Sequence, residues 1–221
     1  MKHLLFISLL FISCLPLRAQ MPVSKEPRHK VVFENSKVRV LNVTLPPGDT
    51  TFYHIHSTPS AFIFFTRTNT ASQLINQQPT SGYSVAGNIF FEDLYTHKRI
   101  HRVWNIDTAT FHVMDVEILN KDSGFISNAV TGKGVNLLFT QPTVRGYKLE
   151  LDESTGVILP GNTSSFLLVA LHSSLIKFAH GNKVENRQLN EGGFIWISPT
   201  EKANISNANK DSASFALLEL K

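Results

Sequence analysis

The sequence predicts an all-β chain built as two tandem β-sandwiches or barrels, and three observations carry that prediction. Short runs rich in Val, Ile, Phe and Thr recur at 31–33, 38–45, 52–55 and 61–66, then at 87–91, 100–104 and 111–119. Gly, Pro, Asn and Asp punctuate them at intervals typical of antiparallel strands. No stretch sustains a helical period over several turns. Two echoes then link the halves of the chain: Leu45-Pro46-Pro47-Gly48-Asp49-Thr50-Thr51 with Leu159-Pro160-Gly161-Asn162-Thr163-Ser164-Ser165, and Thr110-Phe111-His112-Val113-Met114-Asp115-Val116 with Ser214-Phe215-Ala216-Leu217-Leu218-Glu219-Leu220. Their similar offsets argue for a duplication, and the many short strands argue for a sandwich or barrel in each copy.

Taken in order, residues 1–19 read as a secretory signal. Met1-Lys2-His3 is a basic head on an apolar run, 4–12, that is too short to span a bilayer. Ala19 before Gln20 is the expected cleavage site. Phe11-Ile12-Ser13-Cys14 loosely resembles a lipoprotein site, which would anchor the chain through Cys14, but Phe11 stands where leucine is usual, so plain cleavage is favoured and the expected location is secreted or periplasmic. Residues 20–30 read as a loose lead-in, 31–120 as the first barrel, the Gly- and Asn-rich 121–134 as a linker, and 135–221 as the second barrel. The polar stretch 73–83, with its Pro79-Thr80-Ser81-Gly82 turn, reads as a loop.

Cleavage after Ala19 removes Lys2 and Arg18 and no acid, so the formal charge falls from +4 to +2. So mild a balance gives no case for nucleic acid as a partner. The one cysteine, Cys14, leaves with the signal, so the mature chain is expected to rely on its core rather than on disulfides. No segment is long enough to be a transmembrane helix. The expected partner is a small-molecule ligand or substrate, with homo-oligomerisation left open.

The chemistry concentrates in the first copy. Pro46-Pro47-Gly48 feeds a strand on which His54 and His56 stand two residues apart and so project to one face together with Phe52, with Tyr53 and Ile55 on the other. Two imidazoles fixed in this way can share a divalent metal if a third ligand arrives from elsewhere. A later strand, Ile100-His101-Arg102-Val103-Trp104-Asn105, supplies a third histidine.

These residues resemble the cupin superfamily. Its first motif, G-x5-H-x-H, is met by Gly48, His54 and His56, and its second ends in H-x3-N, met by His101 and Asn105. The sequence departs from the family in two places. Thr96 and Lys98 replace a Pro-x-Gly turn, and Pro59-Ser60-Ala61-Phe62 contains no glutamate where the family places a fourth ligand. The resemblance implies a bicupin of two jelly-roll-like double-stranded β-helices, with one mononuclear metal held by His54, His56 and His101. Glu92 is a candidate substitute carboxylate. In the second copy Gly161 begins the same spacing, but Leu167 and Val169 fall at the histidine positions and Asn204 at the third, so that copy is expected to be a degenerate cupin without metal. His97, His172 and His180 lie outside the register and read as surface or packing residues.

Three neutral imidazoles leave a dication with its full charge and open positions, which suits an oxygen-rich or anionic substrate. Fe(II) is the first choice, and Mn, Ni, Cu or Zn are also compatible with imidazole. The resemblance therefore implies dioxygenase-like oxidation of a small organic molecule, with no general base identified. The competing readings are a non-catalytic binding module for a sugar or other small ligand, in which the metal is absent or structural, and a cupin isomerase. Specificity is expected from barrel-lining side chains and the 73–82 segment.

Overall fold

The first half folds from β1 (Met21–Pro22), a 3-10 turn at Val23–Lys25, β2 (His29–Glu34), β3 (Val38–Leu45), β4 (His54–His56), β5 (Ser60–Phe64), β6 (Asn69–Leu74), β7 (Thr80–Tyr83), β8 (Ile89–Glu92), β9 (Arg99–Asn105) and β10 (Phe111–Ile118). The second half contributes β11 (Val135–Thr140), β12 (Val144–Leu151), β13 (Gly156–Leu159), β14 (Ser165–Ala170), β15 (Ser174–His180), β16 (Lys183–Leu189), β17 (Phe194–Ile197), β18 (Ala203–Asn207) and β19 (Ala213–Leu220). This computed structural model describes residues 20–161, 164–199 and 202–221, and no α-helix occurs among them. The signal reading of 1–19, with cleavage after Ala19 and the alternative anchor at Cys14, lies outside the described residues.

Each half is a two-sheet sandwich, and the strand orders match. Sheets β1-β4-β9-β6-β7 and β2-β3-β10-β5-β8 form the first, and β13-β18-β15-β16 with β11-β12-β19-β14-β17 form the second. Only β1, which adds to β4 in parallel, has no counterpart among the described residues. The all-β tandem architecture expected from the sequence is the one the chain adopts.

The ladders define the internal register of the duplication. Val38 pairs with Ile118 and Val144 with Leu220, and the alternation of buried and exposed side chains along β3 is repeated along β12. Asp115 pairs with Leu41 as Leu217 pairs with Tyr147, so Leu217 is the counterpart of Asp115. His29 pairs with Val43 as Val135 pairs with Leu149, which makes Val135 the counterpart of His29. Strands β9 and β18 end at Asn105 and Asn207, and four residues earlier stand His101 and Ala203. Since His54 pairs with His101 and Leu159 with Ala203, Leu159 takes the place of His54.

This register corrects the second-copy assignments. Leu167 and Val169 lie on β14, the counterpart of β5, and face the other barrel rather than replacing histidines. Ala203, not Asn204, stands where His101 does. The echoes that reveal the duplication are themselves out of step. Leu45 ends β3 while Leu159 ends β13, and Phe111 matches Ala213 rather than Phe215. A two-residue slip along a strand preserves the side-chain face, so the composition of the echo survives although its alignment does not.

Two further readings change. Residues 73–83 form much of the β6–β7 hairpin, turned at Asn76 with φ 60°, rather than a loop. Polar side chains on this exposed edge hide the strand pattern. The 20–30 segment is built into the first barrel through β1, the buried Val23 and Glu26, and β2.

The barrels pack back to back. Val40, Ile63, Met114 and Val116 on one side meet Val144, Leu167, Val169 and Leu218 on the other in one buried cluster. The interiors differ. An extensive apolar cluster including Tyr147, Leu159, Phe166, Ala203, Phe215 and Leu217 fills the second barrel. The first holds a smaller one, Val43, Leu45, Phe62, Leu94, Phe111 and Val113, beside polar groups and a cavity.

Candidate metal centre

Strand β4 turns His54 and His56 inward, where both are buried, and the β9 ladder sets His101 directly beside His54. The ring of His101 lies 4.8 Å from that of His54 and 5.1 Å from that of His56. The structure adds a residue that sequence reading passed over. His29, the first residue of β2, brings its ring to 4.5 Å from His54 and 5.9 Å from His56. Ligand atoms of His29, His54 and His56 all lie within 4.8 Å of one another. Phe52 precedes β4 and is exposed, so it does not share the face of the histidines.

Three of the four rings, His29, His54 and His101, are held from behind through Nδ1. His54 Nδ1 donates to the Phe52 carbonyl at 2.8 Å, and His29 Nδ1 to Glu26 Oε2 at 2.7 Å. His101 Nδ1 lies 3.2 Å from the Ser72 hydroxyl, and His56 Nδ1 lies 3.3 Å from Asp115 Oδ2 without hydrogen-bond alignment. A carbonyl only accepts, so the proton of neutral His54 sits on Nδ1 and its Nε2 carries a lone pair. That Nε2 stands 3.0 Å from His56 Nε2. Without a metal the contact needs a proton on His56 Nε2. With one, 3.0 Å is a natural separation for two adjacent imidazoles bound at about 2.0–2.1 Å.

The electrostatics favour the neutral, ligating form. Burial, reinforced by the neighbouring imidazoles of His29 and His56, pushes His54 down to about 3. Burial followed by His56 and His54 pushes His101 down to about 2. Burial alone would raise Glu26, but hydrogen bonds from His29 and from the backbone N–H groups of Phe52 and Arg28 hold it below the usual carboxylate range. Arg28 in turn forks onto Asp49 at 2.6 and 2.8 Å, which ties the 26–29 segment to the turn before β4.

Glu92 is engaged elsewhere, accepting from Arg99 Nη2 at 2.7 Å. The carboxylates beside the histidines are instead Glu26, through His29, and Asp115, beside His56. The centre opens on a cavity of about 340 Å³ walled by Phe62, Phe64, Phe90, Phe111, Val103 and Val113, with Leu74 and Thr80 of the β6–β7 hairpin at its edge. His97 is exposed, as is His172, and His180 stacks on Phe178 in the second barrel.

The signal for His29 was present but local. The spacing Glu26-x-x-His29 pairs a carboxylate with an imidazole, yet no motif joins it to His54 twenty-five residues later.

No protein-family model matches the sequence, and no curated protein matches it. Solved structures do resemble it in fold. AerE from Microcystis aeruginosa superposes with a TM-score of 0.59 at 9% identity, over 89% of this chain and 98% of that one. A cupin 2 conserved barrel domain protein from Leptotrichia buccalis gives 0.56 at 8% identity, over 87% and 88%. A salicylate 1,2-dioxygenase from Pseudaminobacter salicylatoxidans gives 0.57 at 10% identity, over 83% and 71%. At such identities the likeness establishes a shared fold.

Proposed function

We propose that this chain, two barrels of the cupin fold in tandem, holds one divalent metal in its first barrel and uses it to oxidise a small organic molecule. His54, His56 and His101 are the ligands read from the sequence, and His29 joins them. The observation that carries the reading is the 3.0 Å approach of two Nε2 atoms, one of which is fixed as a lone pair by a backbone carbonyl. Nothing in a purely structural role calls for four imidazoles to converge in a buried site. The second barrel fills the matching places of His29, His54 and His101 with Val135, Leu159 and Ala203.

A bound dication would act as Lewis acid and template for an oxygen donor. Neutral imidazoles suit Fe(II), Mn, Ni, Cu or Zn, and Fe(II) is the ion the proposal tests first. The chain's own residues do the positioning. Glu26, the Phe52 carbonyl and Ser72 fix ring orientations, and outer-shell contacts of this kind also raise ligand basicity. The phenylalanine walls give the cavity an apolar lining, and an apolar surround strengthens electrostatic interactions within it. Salicylate dioxygenase and oxalate decarboxylase among the fold neighbours support chemistry on a small molecule. The basic, apolar 1–12 segment supports export, which N-terminal sequencing of the mature protein tests.

Metal analysis of purified wild type against His54→Ala/His56→Ala tests the centre, and equal loading in the two would overturn it. Oxygen uptake with a panel of phenols, diketones and thiols tests the oxidation. Tight ligand binding without His101-dependent uptake would return the protein to the class of binding modules.

A further inference from the structure

The cavity contains a buried carboxyl group that the described residues leave without a hydrogen-bond donor. Asp115 is 1% exposed and lines the cavity, and neither carboxylate oxygen accepts a hydrogen bond from the described residues. Its nearest cationic candidate is His56 Nδ1, 3.3 Å from Oδ2 and out of alignment. Neighbouring arginines are committed: Arg39 to Glu34 and Glu117, and Arg99 to Glu92. Burying a carboxylate without donors is unfavourable unless something supplies them.

The duplication supplies an internal comparison. The counterpart of Asp115 is Leu217, fully buried in the apolar cluster of the second barrel. The strand, its register and its neighbours tolerate an apolar residue there, so the fold has no need of the acid. Asp115 occurs in the copy that also has the histidines and the cavity.

The walls define the rest of the occupant. Phe62 stands opposite Asp115 on the adjacent strand and stacks on Phe90 at 5.4 Å, with Phe64 stacked on Phe90 at 5.7 Å. Phe111 meets Phe64 edge-on at 5.9 Å. Such faces take a flat ring in stacked or edge-on contact. A cavity of about 340 Å³ is at the small end for ligand sites and suits a compact occupant.

We infer that the cavity selects a compact aromatic molecule bearing a hydroxyl, and that the hydroxyl donates to Asp115. A neutral hydroxyl supplies that donor without desolvating a second charge. This rests on reading the first barrel as a small-molecule site, but it does not require the metal.

The test is a titration of the metal-free full chain, stripped with chelator, with phenol and with anisole, followed by protein-observed NMR. Anisole has nearly the shape of phenol and no donor. Wild type is expected to bind phenol at least tenfold more tightly, and Asp115→Leu to bring the two within about twofold. If Asp115→Leu does not fold, as judged by its melting curve, Asp115→Asn serves instead, with the preference expected to fall about threefold. Equal binding by wild type, binding of neither compound, or an undiminished preference in the variant that folds would each overturn the inference. Metal loading is measured on the same preparations before they are stripped. Loading without a donor preference sinks this inference alone, and a donor preference without loading sinks the metal reading alone.

Discussion

Asn105 and Asn207 make the same three hydrogen bonds in the two barrels. Asn105 Nδ2 donates to the carbonyls of Leu45 at 2.9 Å and Ala109 at 2.8 Å, and its Oδ1 accepts from Asp107 N–H at 2.8 Å. Asn207 Nδ2 donates to Leu151 at 2.9 Å and Asp211 at 2.7 Å, and its Oδ1 accepts from Asn209 N–H at 2.8 Å. Each side chain thus clamps the end of one strand to a strand of the facing sheet and to the turn that follows. The asparagine of the H-x3-N pattern is therefore a fastener of the sandwich, whether or not a metal site lies four residues earlier.

Alanine at either position leaves buried backbone groups without partners, at about 1–3 kcal/mol for each unsatisfied group. Both Asn105→Ala and Asn207→Ala are expected to lower the denaturant midpoint substantially. Only Asn105→Ala is expected to reduce metal content, because β9 carries His101 and β18 carries Ala203 in its place. Equal metal loss in the two variants would contradict this division.

Glu26→Gln removes the charge from the hydrogen bond to His29 and keeps its shape. Changing such an outer-shell partner typically costs about 10–100-fold in metal affinity. Competition with a chromogenic chelator measures it. In a double-mutant cycle with His29→Ala, the two losses are expected to be far from additive, because Glu26 acts on the metal through that ring. Full additivity would place Glu26 outside the site.

How far the centre could be read from the sequence follows from chain separation. His54 and His56 share a strand face, and a period of two reveals them without any fold. His101 required a pattern that joins two distant segments. His29 had none: it opens β2 directly after a short, proline-flanked piece whose single-turn 3-10 geometry and two-residue strand carry no periodic signal. Strands β6 and β7 were hidden for a related reason. Their outward positions are polar and their inward positions, including Thr70, Ser72 and Thr80, line a cavity instead of a core, so the apolar alternation that marks a strand is missing. Strands β3 and β10, by contrast, place Val, Leu, Phe, Met and Ile at most of their buried positions, so their strand pattern is legible in the sequence.

The metal-free protein is expected to lose stability as the pH falls below about 6.5. In the unfolded chain His54 and His101 take up protons near the ordinary value of 6.5, whereas in the fold they stay neutral down to about 3 and about 2. Between those limits the unfolded state binds more protons, so stability decreases with falling pH by at most about 1.4 kcal/mol per proton and pH unit. Thermal melts from about pH 7.5 to about pH 4 measure the slope. His54→Leu, which installs the side chain that Leu159 provides in the other barrel, is expected to flatten it. An unchanged slope in that variant would show that the acid sensitivity comes from other groups.

The second barrel carries its own buried charge, separable from the metal chemistry. Glu219 is fully buried, and it accepts from Tyr147 at 2.6 Å, Ser164 at 3.0 Å and Arg145 at 3.2 Å. Arg145 also donates to the Ser127 carbonyl at 3.0 Å and stacks over Phe125, so the network fastens the 121–134 segment against the barrel. Burial, with Glu219 alongside, raises Tyr147 far above its ordinary range, which keeps the phenol a donor. Glu219→Ala leaves Arg145 as an uncompensated charge and is expected to cost about 3–5 kcal/mol. Arg145→Met combined with Glu219→Leu removes both charges and is expected to recover much of that loss. Since neither residue approaches the histidines, metal content per folded chain should remain at the wild-type level in both variants. Equilibrium unfolding paired with metal analysis checks the two halves of this prediction. A fall in metal per folded chain would reveal coupling between the barrels through their shared apolar face.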